Sequence, residues 1–230
     1  MPMEQPTHPY YPLGVSIPNY IPNNRPLIHS LPAFGALIGA VIISALFLTG
    51  SSTRRHVRPI DQFAASWFAL CGFLHVAFEG YYIYHRNEIS GMNTLFAQLW
   101  KEYTLSDSRY LTSDIFTVCV ETITVFAWGP LSLLTVLYIR TNHPSRHVFQ
   151  IIVCVAHLYG VALYYATNWA EQQFHGMSYS RPEFLYFWVY YVGFNAPWAI
   201  VPFFLLADSY NRIVTAFRAL HEKETQQKRE

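Results

Sequence analysis

The stretch CGFLHVAFEGYYIY, Cys71 to Tyr84, decides how the chain is read, because it sets His75 and Glu79 inside a run that is otherwise apolar. Four residues apart on a helix, the two side chains fall on one face about one turn apart, within reach of a hydrogen bond. Ionisable groups persist in hydrocarbon only where they face a cavity or a partner, so the pair points to a functional site, against the plainer reading of a polar contact between helices. A third such residue, Glu121, lies in a different apolar run and weighs toward function.

Outward from that stretch, 230 residues with 52% hydrophobic and 13% charged side chains are too apolar for an ordinary soluble domain. The uncharged runs match the roughly 20 residues needed to cross a bilayer, so the fold class expected is all-α, a polytopic membrane protein with a bundle of five transmembrane helices. The spans run from Leu31 to Gly50, about Gln62 to Tyr84, about Ile115 to Tyr138, about Val148 to Thr167 and about Phe184 to Ala207. Residues 1–30 form a proline-rich arm, 31–207 the membrane domain and 208–230 an amphipathic and charged tail. The prolines of the arm forbid a regular helix and favour extended chain, and no cleavable signal is present, so the first span should act as an uncleaved anchor. Between spans two and three, Leu95, Phe96, Leu99, Trp100 and Tyr103 recur at helical spacing, which predicts a short helix lying on the membrane surface or lidding a pocket. Asp114 is placed to cap span three, and Gly129-Pro130 to kink it.

Net charge near +1 and the lack of a basic run with interleaved aromatics exclude nucleic acid as a partner. Cys71, Cys119 and Cys154 sit in apolar spans without CxxC spacing, so neither a disulfide framework nor a metal site is indicated. There is no GxGxxG, P-loop, HExxH or nucleophile elbow, and no cofactor is expected. Lys and Arg concentrate on the loops after spans one and three and on the tail, including Arg54, Arg55, Arg58, Arg140 and Arg146, which puts the C-terminus in the cytosol.

With that topology, a rise of 1.5 Å per residue places His75, Glu79, Glu121, His157 and Asn195 in one layer, about 8–16 Å from the non-cytosolic face. Two ionised carboxylates gathered there are expensive, so one is protonated or is paired with His75 as imidazolium. The group therefore holds both a proton donor and a proton acceptor, as moving a proton on and off an apolar substrate requires. The faces of Trp128, Trp188, Tyr191 and Trp198 can stabilise a positive centre, against the plainer reading of packing or an interfacial belt.

Several motifs carry a resemblance to a known family: HPYYP at His8, Pro22-Asn23-Asn24-Arg25-Pro26, CGFLHVAFEG at 71–80, QLWKEYTLSDSRY at 98–110, FTVCVETIT at 116–124, WGPLSL at 128–133 and LYFWVYYVGFNAPW at 185–198. In these and in their collinear spacing the chain resembles the emopamil-binding protein family, the 3β-hydroxysteroid Δ8-Δ7 isomerases. The resemblance implies an enzyme of the endoplasmic reticulum membrane and nuclear envelope that moves the sterol B-ring double bond through a carbocation, without cofactor or metal. Carried over, His75 with Glu79 delivers the proton, and Glu121 with Asn195 and Trp198 completes the catalytic group. Thr124, Tyr110, Trp100, Trp128 and Tyr191 bind substrate. His157 stands where a glutamine is expected in animal members, and Pro197 where a leucine is usual. The partners implied are a sterol, the bilayer, lipophilic amines, a second copy of the chain and other sterol-biosynthetic enzymes such as the sterol Δ7-reductase. Two other readings stay open: a non-catalytic binder of sterols or amphiphilic amines, and a proton-coupled transporter, which the lack of an inverted repeat disfavours.

Overall fold

The computed structural model describes residues 8–50 and 57–229. Pro2 and Pro6 of the arm, Ser51 to Thr53 and the orienting Arg54 and Arg55 lie outside them. Among the described residues every regular element is helical, and five helices are long and apolar enough to cross a bilayer: Leu27–Gly50, Pro59–His85, Ile115–Thr141, Arg146–His175 and Leu185–Gln227. Each matches one expected span, the fifth starting one residue after Phe184, and most extend beyond it, because backbone bonding and caps end a helix where hydropathy does not. Pro59 opens the second at a position where its missing N–H costs nothing. Asp114 accepts from the Thr117 amide at 3.0 Å and caps the third. Gly176, with a positive φ of 64°, ends the fourth eight residues beyond Thr167.

Three of these helices depart from α geometry. Leu74–Glu79 of the second, Thr124–Trp128 of the third and Leu185–Gly193 of the fifth are π-helical. At Gly129-Pro130 the third helix widens ahead of the proline, so the longer hydrogen-bond spacing absorbs the bond that Pro130 cannot make. Gly129 is needed for another reason. A Cβ there would lie 2.7 Å from Val76 Cγ2 and 3.1 Å from His75 Cβ, so the absent side chain lets the third span abut the second at His75. The fifth helix breaks at Phe194 and Asn195 and restarts at Ala196, with Pro197 in its first turn.

The segment Leu95–Tyr103 is a helix capped by Thr94, and Ala97, Gln98, Leu99, Trp100 and Lys101 are all buried. It is a lid, not a surface helix. Over it lies the arm, extended as the prolines require. Asn23 Nδ2 donates to Gln98 O at 2.9 Å, Tyr10 OH to Lys101 O at 3.0 Å, and Lys101 Nζ to Ile21 O at 2.7 Å and to Asn93 Oδ1 at 3.1 Å. Burial of Lys101 pushes its ammonium down to about 8. Gly91 lies under the arm, where a Cβ would come 2.9 Å from Asn19 O.

Candidate active site

Spans two to five and the lid enclose a cavity of about 500 Å³, within the range of pockets that take a mid-sized apolar ligand. Its wall is mostly apolar and aromatic, and Phe34 and Ile38 bring the first span to it. The polar side chains converge from different helices: His75 and Glu79 from the second, Glu121 and Thr124 from the third, His157 from the fourth and Asn195 from the fifth.

The π turn at Leu74–Glu79 carries both residues of the opening stretch. His75 Nδ1 lies 2.9 and 2.8 Å from the two Glu79 carboxylate oxygens, and its Nε2 lies 3.1 Å from His157 Nε2. Glu121 Oε1 accepts from Tyr110 OH at 2.9 Å. Asn195 Nδ2 donates to Tyr191 O at 2.8 Å and to Tyr103 OH at 3.3 Å, which ties the break in the fifth helix to the lid. Trp100 Nε1 donates to Phe78 O at 3.0 Å, and the two rings stack 4.7 Å apart. Trp198 packs on Trp67 with ring centroids 5.3 Å apart, and its Nε1 has no hydrogen-bond partner; Tyr164 OH and His157 Nδ1 are likewise unpartnered. Three such atoms on one cavity wall leave donors and acceptors there without a protein partner.

Cys71 offers its Sγ to His75 and His157, the three ligating atoms within 4.8 Å of one another. The two rings are hydrogen-bonded to each other, and the Glu79 carboxyl holds the other nitrogen of His75.

Of the residues singled out in the sequence, His75, Glu79, Glu121, Asn195, Trp198, Thr124, Tyr110, Trp100 and Trp128 all line the cavity. Tyr191 does not. It is buried against Tyr164, Tyr165 and Phe187, because the π geometry of Leu185–Gly193 turns it away from the face that helical spacing assigns. Trp188 is 55% exposed on the outer side of the bundle and is also removed from the candidate set. Phe34, Tyr103 and Tyr164 enter it, and His157, placed in the polar layer by depth, lines the wall with them. Tyr103 was legible as the next turn of the lid after Trp100, whereas nothing in the uniformly apolar first span distinguishes Phe34.

An apolar cavity inside a five-span bundle, with acid and imidazole groups gathered on its wall, defines an all-α polytopic membrane protein with a buried polar site. The chain belongs to the EXPERA family, the expanded EBP superfamily, whose model matches residues 95–209. It is 36% identical over 221 residues to the 3-beta-hydroxysteroid-Delta(8),Delta(7)-isomerase of Mus musculus, covering 95% of this chain and 94% of the mouse protein. The probable 3-beta-hydroxysteroid-Delta(8),Delta(7)-isomerase of Oryza sativa subsp. japonica is 32% identical over 92% of this chain and 94% of its own length. The protoglabretal synthase MOI1 of Citrus sinensis is 30% identical over 82% of this chain and 87% of its own.

Proposed function

We propose that this protein moves the B-ring double bond of a sterol from Δ8 to Δ7 without a cofactor. It is an isomerase. The observation that carries the reading is the convergence of His75, Glu79 and Glu121 on one apolar cavity from two spans, in a chain similar over 95% of its length to proteins named for that reaction.

A proton from the His75/Glu79 pair adds to C9, the C8=C9 electron pair forming the new C–H bond and leaving a cation at C8. Loss of a proton from C7 to the Glu121 carboxylate then turns that C–H pair into the C7=C8 double bond, so one proton enters, one leaves and nothing is oxidised. Glu121 faces the cavity with one oxygen held by Tyr110, and its charge with the faces of Trp128 and Trp198 stabilises the C8 cation. Thr124, Trp100, Tyr110 and Asn195 shape the wall that seats the rings. Lipophilic amines bind there because an ammonium imitates the cation. The protein resides in the endoplasmic reticulum membrane with its C-terminus in the cytosol, where most of the loop and tail cations lie.

Purified protein in detergent, given a Δ8-sterol under nitrogen without added cofactor, is expected to yield the Δ7 isomer. Unchanged sterol from a preparation that still binds lipophilic amines would move the protein to the class of passive binders.

A further inference from the structure

Depth along the spans places His157 in the polar layer without a role in the reaction, and its ring touches the proton-delivering pair directly. His75 has both nitrogens engaged: Nδ1 by the Glu79 carboxylate and Nε2 by His157 Nε2 at 3.1 Å, with ring centroids 5.3 Å apart and planes at 59°. Two bare lone pairs or two N–H groups could not face each other at that distance, so the rings hold one proton between them. The other end of His157 settles which ring carries it at rest. His157 is 5% exposed and its Nδ1 has no partner, so an N–H there would be a buried orphan donor. His157 therefore carries its proton on Nε2 and donates to His75, which donates in turn from Nδ1 to the Glu79 carboxyl, whose own proton is the one delivered to C9. The three side chains form one directed chain of hydrogen bonds from the fourth span to the second. It ends on the most accessible member, since the Glu79 side chain is 17% exposed against 5% for His75.

We propose that His157 is a positioning residue for proton delivery. It fixes the rotamer and tautomer of His75 so that Nδ1 stays on Glu79, and it acts through that ring, not on the sterol. The inference rests on the isomerase reading above and deepens it. The groups packed against the His157 ring are Cys71 and His75 of the second span, and of these His75 hydrogen-bonds to it. Without the imidazole, His75 can turn about its side-chain bonds and the productive pair with Glu79 is only fractionally populated. That lowers the rate of the proton step and leaves sterol seating unchanged.

The test compares wild-type protein with His157→Phe, His157→Met and His157→Gln, reading kcat and KM for a Δ8-sterol, the Kd of a lipophilic amine and the solvent deuterium isotope effect on kcat. Phe and Met cannot bond to His75, and Met adapts to an imperfect fit, so at least one apolar variant should fold. The expected result is a kcat at least about tenfold lower in the apolar variants, with KM and amine Kd little changed and a larger isotope effect. His157→Gln, which can still bond to His75 Nε2, should recover most of kcat. Unaltered kcat in the apolar variants, parallel losses of kcat and amine binding, or a Gln variant no better than Phe would each overturn the proposal. An inactive wild-type protein would instead refute the isomerase reading.

Discussion

Among the described residues, two clusters of ionisable side chains between the spans are built on opposite principles. In the first, Arg58, Asp61, Arg146 and Asp208 join three helices. Asp61 Oδ1 accepts from Arg58 and from Arg146 at 2.6 Å each, and Asp208 Oδ1 accepts from Arg58 at 2.7 Å. Two anions meet two cations, and none of the four lines the cavity. The second cluster, His75, Glu79, Glu121 and His157, has two carboxyls and two imidazoles, contains no arginine or lysine, leaves His157 Nδ1 unpaired and forms the cavity wall. A cluster whose charges cancel is closed to chemistry and ties helices together. One whose charge depends on where its protons sit can exchange them with a ligand.

The largest effect that can break this contrast is catalytic. His75→Ala and Glu121→Gln should each reduce isomerisation at least about a hundredfold, the scale for losing a general acid, base or charge stabiliser, while the detergent melting temperature holds near wild type. If either variant turned over at the wild-type rate, its residue would leave the site.

Asp61→Asn should do the reverse. Removing the shared anion leaves the Arg146 side chain, 5% exposed, without its partner. The expected cost is about 3 kcal/mol, seen as a lower melting temperature with near-normal turnover per folded molecule. A stable but inactive Asp61→Asn protein would erase the distinction between the two clusters.

A smaller effect separates charge from shape in the cavity. A tertiary amine of sterol length should inhibit competitively and bind at least about tenfold better than its neutral carbon isostere, about 1.4 kcal/mol, and Glu121→Gln should remove most of that difference. Equal affinity of the two analogues for wild-type protein would leave cation stabilisation without support.

The smallest effect concerns the lid. Lys101 has its proton affinity lowered from 10.5 to about 8 by burial, so the folded chain gives up this proton before the unfolded chain does. The cost of burying the ammonium is fully present below about pH 8 and is relieved as pH rises toward 10.5, so stability should rise across that window. Hydrogen-exchange protection of residues 8–26 should therefore increase modestly from about pH 7.5 to 9.5, and Lys101→Met should lose that dependence. Falling protection would reverse the sign assigned to Lys101.

Much of this was written in the sequence. Five apolar runs give the spans, and an i, i+4 His/Glu pair announces itself wherever hydrocarbon forbids unpaired charge. The lid was legible in the spacing of Trp100 and Tyr103, and the cap in Asp114. Less legible were the π segments, since a spacing of five residues per bond arises from packing: Gly129 admits the second span against the third at His75 Cβ, a contact no local pattern encodes. That geometry also defeated the placement of Tyr191 and Trp188, which α periodicity turns inward. His157 was visible as a polar residue in a span, but its bond to His75 joins positions 82 apart and needed the fold to bring them together.

The most direct test of the central claim is isomerisation in D2O under nitrogen with unlabelled Δ8-sterol. Because the account draws the C9 proton from side chains that exchange with solvent and sends the C7 proton to another group, the Δ7 product should carry one deuterium, at C9. His75→Ala and Glu121→Gln should form little of it in the same time. A Δ7 product that forms at the normal rate with no solvent deuterium would mean that the hydrogen passes directly from C7 to C9, and would contradict the role given to the His75, Glu79 and Glu121 cluster.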